Sequence, residues 1–516
     1  MARARTRWVS VSAALAAALL QHSTTFAQPA PLPGEPAPGV QPATPLPPAA
    51  EPLPPPASDP AEPPAGTQPP LWAPAPAPVL PPPAAQAPTV DAPPPILDVQ
   101  VAPAPLPEAE LEATPDAGGA WYDSFELSAF ADAYVGVDYN FPKAQQPNPI
   151  RAYDVAQGFA LAWVGLDIWR AADPVGGAVS LRFGPEADRL AAACIDGDGD
   201  CDSDIGLALV KQAFVSWRPG GATAPVTFDL GKFDTPFGAE VAESQGNINY
   251  TRGALYWLGQ PAYHTGLRVG ADLDRRFNLR FLAVNGWNRS LDNNAGKSLG
   301  LQATLRIPKA EGVDEDALTI AVGYLGGPEH DDFAQVSCPP GQRFDVAANP
   351  STGCVESAGS PGGEGLVDRG NANTEGLRHF FDLTTVAAPT PELRLLLNGS
   401  VGIDNQRSLS DLTTFESVLW YGVMLGGRYA VTDAFGVAAR GEYYGDPDGY
   451  TTGAGAANDV RLVTGTLTAD YSPARAVVLK LDARLDWSNK RIFPDGLREV
   501  AGSSFSTTLG AVFKTN

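Results

Sequence analysis

The stretch FELSAFADAYVGVDYNF, residues 125–141, alternates apolar and polar residues. Its odd positions are all apolar or aromatic, and its even positions include Glu126, Ser128, Asp132, Asp138 and Asn140. A period of two belongs to a β-strand with one apolar and one polar face. SLGLQATLRI (298–307) repeats the pattern, as does VVLKLDARLDWS (477–488), where Leu479, Leu481, Ala483, Leu485 and Trp487 alternate with Lys480, Asp482, Arg484 and Asp486. Sixteen such segments can be placed, near 123–141, 157–170, 175–184, 207–218, 223–233, 262–273, 276–286, 297–308, 316–326, 376–387, 391–404, 417–430, 434–445, 459–471, 475–489 and 499–514.

The connections sort into two kinds. Every second one is short (ADPVGG, RPGGATAP, DLDRR, PKAEGVDED, APTPE, VTDA, SPAR), and those between are long, the longest running from about 327 to 375. A β-sandwich has no reason to sort its loops in this way, whereas a membrane barrel has short turns at one end and long loops at the other. The fold class that follows is all-β: a single antiparallel transmembrane β-barrel of about 16 strands, its apolar face toward lipid and its polar face toward a water-filled lumen. Tyr139, Phe141, Trp169, Trp217, Tyr429, Tyr443, Tyr471 and Trp487, near strand ends, fit interfacial girdles.

Two segments precede the barrel. Residues 1–27 combine Arg3, Arg5 and Arg7, a short apolar run from Val9 to Leu20 and small residues before a cut after Ala27, the layout of a secretory signal peptide. Residues 28–116 hold most of the 52 prolines and neither Lys nor Arg. Such a segment cannot bury enough surface to offset its ordering entropy, so a disordered, extended arm is expected before a barrel at 117–516. An even strand count puts both barrel termini in the periplasm, from which the arm would reach toward peptidoglycan. Four cysteines in an exported chain suggest two disulfides, and spacing favours Cys194–Cys201 and Cys338–Cys354, although the other two connectivities stay open.

Three stretches carry a resemblance. FDLGKFDTPFGAE (228–240), PAYHTGLRVG (261–270) and NGWNRSLDNNAGKSLG (285–300) resemble the OmpL-like β-barrel porin-2 family, over roughly Trp121 to Asn516. The resemblance implies an outer-membrane porin. One departure concerns the end of the last strand. Barrels of this kind commonly finish on an aromatic residue, and here Phe513 is followed by Lys514, Thr515 and Asn516.

Candidate pore-lining residues are the inward charges Glu126, Asp132, Arg182, Asp229, Arg268, Arg280, Arg306, Arg394, Arg440 and Arg484, with Asp272, Asp382, Glu442 and Asp482 adding acids. Rings of one sign select the opposite ion, whereas mixed walls create a transverse field. The loop DTPFGAEVAESQGNINYTRGALYWLGQ (234–260) offers Glu240, Glu243, Arg252 and Tyr256 as a constriction folded into the lumen, the alternative being a loop packed on the rim. In CIDGDGDCDSD (194–204), Asp196, Asp198, Asp200 and Asp202 have the spacing of the first ligands of a calcium loop, but Cys201 stands where an EF-hand has glycine. Two readings stay open: Ca2+ bound in an external loop, or a solvated loop stapled by Cys194–Cys201.

The formal charge of -23 argues against nucleic acid as a partner. His264, His330 and His379 remain after the signal, with no nucleophile elbow, P-loop or zinc spacing, so neither an enzyme nor a resident cofactor is expected. The partners expected are outer-membrane lipid and lipopolysaccharide, small hydrophilic solutes or ions, peptidoglycan through the arm, and further copies of the chain. The rival reading is a surface-exposed binding or adhesion protein that uses the barrel as a scaffold for stapled loops.

Overall fold

The computed structural model describes residues 124–515, except 144–147, 153–156, 193–201, 203–204, 311–314, 346, 369–375, 408–413 and 455–458. The leader and arm, the Cys194–Cys201 pair, and Asp196, Asp198 and Asp200 lie outside the described residues. The first nine strands are β1 (Glu126–Asp138), β2 (Gly158–Arg170), β3 (Val175–Phe183), β4 (Val210–Trp217), β5 (Val226–Asp234), β6 (Tyr263–Asp272), β7 (Phe277–Val284), β8 (Ser298–Pro308) and β9 (Asp316–Pro328). A ribbon follows, made of β10 (Phe333–Cys338), β11 (Gln342–Phe344), β12 (Cys354–Glu356) and β13 (Gly363–Asp368). The remaining strands are β14 (Leu377–Ala387), β15 (Leu393–Arg407), β16 (Phe415–Ala430), β17 (Phe435–Asp446), β18 (Val460–Ala474), β19 (Val477–Ser488), the short β20 (Phe493–Asp495) and β21 (Glu499–Ala501), and β22 (Ser503–Lys514).

Sixteen of these strands close into one barrel, β1 to β9, then β14 to β19, then β22, which pairs back to β1. Every pairing is between antiparallel neighbours, so closure leaves no unpaired edge for lipid to face. The alternation runs opposite to that of a water-soluble domain. In β19, Leu481, Leu485 and Trp487 are exposed, while Lys480, Asp482, Arg484 and Asp486 are buried. β17 and β22 show the same inside-out order. Apolar side chains left outside and charges held inside are what a bilayer requires of a barrel.

The final strand starts at Ser503, not at the expected 499, because Glu499–Ala501 pairs with Phe493–Asp495 in a separate hairpin. The longest loop carries two small sheets, β10 with β13 and β11 with β12. Cys338 and Cys354 are disulfide-bonded there, with Cα atoms 5.6 Å apart. Beyond Phe513 the chain stays tied to the wall: the amide of Thr515 donates to the Ala129 carbonyl at 2.9 Å, and Ala129 donates back to the Thr515 hydroxyl at 3.0 Å. Of the expected girdle, Tyr139, Phe141, Trp217, Tyr429, Tyr443, Tyr471 and Trp487 are exposed. Trp169 is half-buried, in register with Glu126 on one side and Ala178 on the other.

Candidate functional site

The segment between β5 and β6, residues 235–262, lies across the lumen. Its backbone turns at Gly238, which has a φ of 89°. It then runs through a short helix, Ala254–Gly259. Its contacts circle the wall. Gln302 of β8 donates to the Pro236 carbonyl. The Gly238 amide donates to Asp382 of β14 at 3.0 Å. Gln260 donates to Asn398 and Ser400 of β15 at 2.6 and 2.8 Å, and Trp420 of β16 donates to the Gly259 carbonyl at 3.2 Å. Arg440 of β17 pairs with Glu240 at 2.6 Å. Asn249 reaches Thr468 of β18 at 2.6 Å. Asp482 of β19 accepts from the amides of Tyr250 and Thr251 at 3.2 and 2.8 Å. Asp132 of β1 accepts from Ser244 at 2.5 Å and from the Tyr250 hydroxyl at 2.9 Å. Glu243 bridges Arg182 of β3 and Lys211 of β4, at 2.8 and 2.7 Å. These strands lie on opposite sides of the ring, so the loop spans the lumen and does not sit on the rim.

Small residues let it approach. A side chain at Gly253 would place its Cβ 1.9 Å from the Glu442 carboxylate, which instead accepts from the Ala254 and Leu255 amides at 3.1 and 3.3 Å. Likewise a Cβ on Gly510 of β22 would meet the Tyr250 ring at 2.0 Å. Apolar packing completes the fill. Phe237, Phe380, Trp287 and Trp420 meet edge to face, with successive ring centroids 5.7, 5.1 and 6.0 Å apart. A second cluster gathers Phe130, Trp163, Tyr250 and Tyr256.

So many buried charges are tolerable only as pairs, because a lone ion forfeits its hydration. Burial alone would raise the Glu243 carboxyl, but Lys211 and Arg182 outweigh it and hold the group well below the ordinary range. Burial pushes Glu240 up, against the pull of Arg440 and with the help of Glu442. Glu186 sits on the short helix Pro185–Ala191 of the preceding long loop and pairs with Arg252 at 3.1 Å. Burial carries its carboxyl up to about 7 despite Arg252, and Asp132 adds to the rise.

The structure therefore brings Asp132, Arg182, Arg440 and Arg484 together with Glu240, Glu243 and Arg252; Arg484 donates to the Arg252 carbonyl at 2.6 Å. Tyr256 is buried beside them. Glu126 lies apart, exposed at the start of β1. Asp229 pairs with Arg268 at 2.9 Å, Arg280 donates to Gln302 at 3.2 Å, Arg306 is 4.0 Å from Asp316, and Arg394 is half-buried opposite Arg428. Asp202 was expected to be solvated in an external loop, but it is buried in an ion pair with Lys232 of β5, whose ammonium draws it onto the wall. Among the described residues no group of three or more His, Cys, Asp or Glu is placed to hold a metal ion.

Several partners escaped the sequence reading. Lys211, Lys232 and Glu186 were not singled out. Lys480, which donates to the Ser244 carbonyl at 2.7 Å, was visible only as one more polar position in an alternating strand. Arg151, in the first long loop, also enters the barrel and donates to Ser506 at 2.5 Å.

A closed sixteen-strand barrel, apolar outside and charged inside, with one loop bound across its lumen, defines an outer-membrane porin-type barrel. The family model described as "Putative beta-barrel porin-2, OmpL-like" matches residues 124–514, and the chain belongs to that family. No curated protein matches it by sequence. Among solved structures it is similar to the outer membrane channel DcaP of Acinetobacter baumannii (13% identity, TM-score 0.44, covering 76% of this chain and 96% of that one). It is similar also to OmpT of Vibrio cholerae (11%, 0.42, 76% and 97%) and to the anion-selective porin from Comamonas acidovorans (12%, 0.41, 76% and 99%).

Proposed function

We propose that the protein is a porin of small bore, which lets small hydrophilic solutes or ions diffuse passively through the space that the loop 235–262 leaves in the lumen. The observation that carries this reading is the set of contacts holding that loop against opposite walls of a charge-lined barrel. A bound loop sets the bore, and the aromatic layer of Phe237, Phe380, Trp287 and Trp420 makes it narrow. Single-channel recording of the full chain in a planar bilayer tests this. Small, stable steps are expected, with several-fold larger steps when residues 239–258 are replaced by a short glycine-serine linker. Inserted, folded barrels that stay silent in both forms would end the porin reading.

One observation favours a second reading. The ribbon β10–β13, closed by Cys338–Cys354, pairs with itself and not with the barrel, as a surface-exposed binding element would. The Pro-rich segment 28–116 is proposed as a periplasmic spacer toward peptidoglycan. Its deletion should leave conductance unchanged.

A further inference from the structure

Trp169 is the girdle candidate that does not face lipid. It stands next to last in β2, at the short-turn end, on the same face as Asp167, whose carboxylate meets Arg182 at 3.0 Å inside the barrel. Its indole is half-buried, and among the described residues it has neither a ring against it nor a hydrogen-bond partner. Neither the bilayer nor core packing accounts for an indole held there. Phe214 of β4 belongs to the same row. Trp169 is in register with Ala178 of β3, and Ala178 with Phe214, so two strand spacings, about 10 Å, separate two aromatic side chains with one methyl group between them. Phe214 meets Phe233 edge to face, with ring centroids 6.4 Å apart, and the Arg268 guanidinium lies 5.3 Å from its centroid. Part of its surface stays open.

The charges around this row are paired. On its long-loop side Asp167 has Arg182. On its short-turn side Asp229 accepts from the Ser216 hydroxyl at 2.6 Å and from Arg268 at 2.9 Å, and beyond it Asp272 has Arg218 at 3.4 Å. Water reaches these groups: the side chains of Asp167 and Asp272 are 26% and 38% exposed, against 0% for Arg440 and Arg484 under the loop on the other wall. Rings of one sign select the opposite ion. Balanced pairs instead offer donors and acceptors with little net pull on an ion. Such a wall matches an uncharged solute that has one apolar face and hydroxyls around its edge. A pyranose ring is of that kind: its C–H face lies flat on an aromatic ring, and its hydroxyls reach carboxylates that accept and guanidinia that donate.

We propose that the row Trp169–Ala178–Phe214, with Asp167 on one side and Ser216, Asp229 and Arg268 on the other, is a stacking site for neutral sugar rings at the short-turn mouth of the barrel. The inference rests on the porin reading for its role in transport, but binding to the row can be measured separately. The probes are glucose and its open-chain alcohol sorbitol, which are alike in size and hydroxyls, whereas only glucose has a ring face. Each is added to the full chain conducting in a planar bilayer. Glucose should reduce the ion current more than sorbitol at equal concentration, and Trp169→Ala should weaken the apparent affinity for glucose about tenfold. Trp217→Ala, on the outward face of β4, should leave the difference between the sugars unchanged. A conducting channel that responds equally to glucose and sorbitol, or to neither, overturns the proposal, as does a glucose effect kept in Trp169→Ala. Should the channel stay silent, equilibrium dialysis of labelled glucose against the detergent-folded full chain decides the matter: binding weakened by Trp169→Ala supports the site, and binding that is absent or unaltered overturns it. Should Trp169→Ala fail to fold, Trp169→Leu, which keeps apolar bulk but loses the flat face, replaces it with the same expected loss.

Discussion

At the scale of single residues, the loop is held by charges whose partners come from distant parts of the chain. Glu186 is the clearest case. One of its oxygens meets Arg252, and the other, Oε1, has no hydrogen-bond partner among the described residues. The folded protein keeps the Glu186 proton up to about pH 7, whereas an unfolded glutamate releases it near 4.5. Between those values the folded state binds more protons, so this group lowers stability as pH rises through the window. Glu186→Gln should remove that pH-dependent loss, so that the variant's stability changes less between pH 5 and pH 8. Urea unfolding in lipid vesicles at pH 5 and pH 8 checks it; an unchanged pH dependence in the variant would count against a neutral Glu186. Such a pairing was not legible in the sequence. Nothing near PEADRLA says that Arg252 will lie beside it, just as nothing near Thr251 points to Asp482. Residue type showed which side chains carry charge, and only closure of the ring showed which of them meet.

Elements were far more legible, because a strand imposes its two-residue period on its own sequence and needs no distant partner to show it. β2, β3 and β14 fall within a residue of their expected bounds, and the alternation of short turns with long loops identified the architecture. Loops lack such a period. The ribbon inside the longest one was not foreseen, and neither was the descent of Arg151 into the barrel. Because the ribbon pairs only with itself, reducing Cys338–Cys354 should loosen it alone. Limited proteolysis with and without reductant is expected to give new cuts within 333–368 while the barrel stays resistant and its melting temperature holds. Cuts elsewhere in the barrel would show that the ribbon supports the wall.

For the whole molecule, the solvent outside is lipid, and the outward residues answer to that alone. Leu467, at the middle of β18, is 65% exposed on the outer face, between Thr466 and Thr468, which point inward. Leu467→Arg should destabilise the folded barrel in a bilayer by about 2–4 kcal/mol, read from unfolding in vesicles. A change near zero would place the middle of β18 away from the hydrocarbon core.

The contacts of residues 235–262 also have a mechanical meaning. An empty sixteen-strand ring is a soft hoop, free to flatten under lateral pressure from the bilayer. Here ion pairs and hydrogen bonds run from β1, β3 and β4 on one side to β14 through β17 on the other, all through a single segment of backbone. That segment acts as a cross-tie on the hoop. Under the proposed function the same residues would set the bore and tie opposite walls together, so replacing the segment should soften the barrel as well as widen the passage.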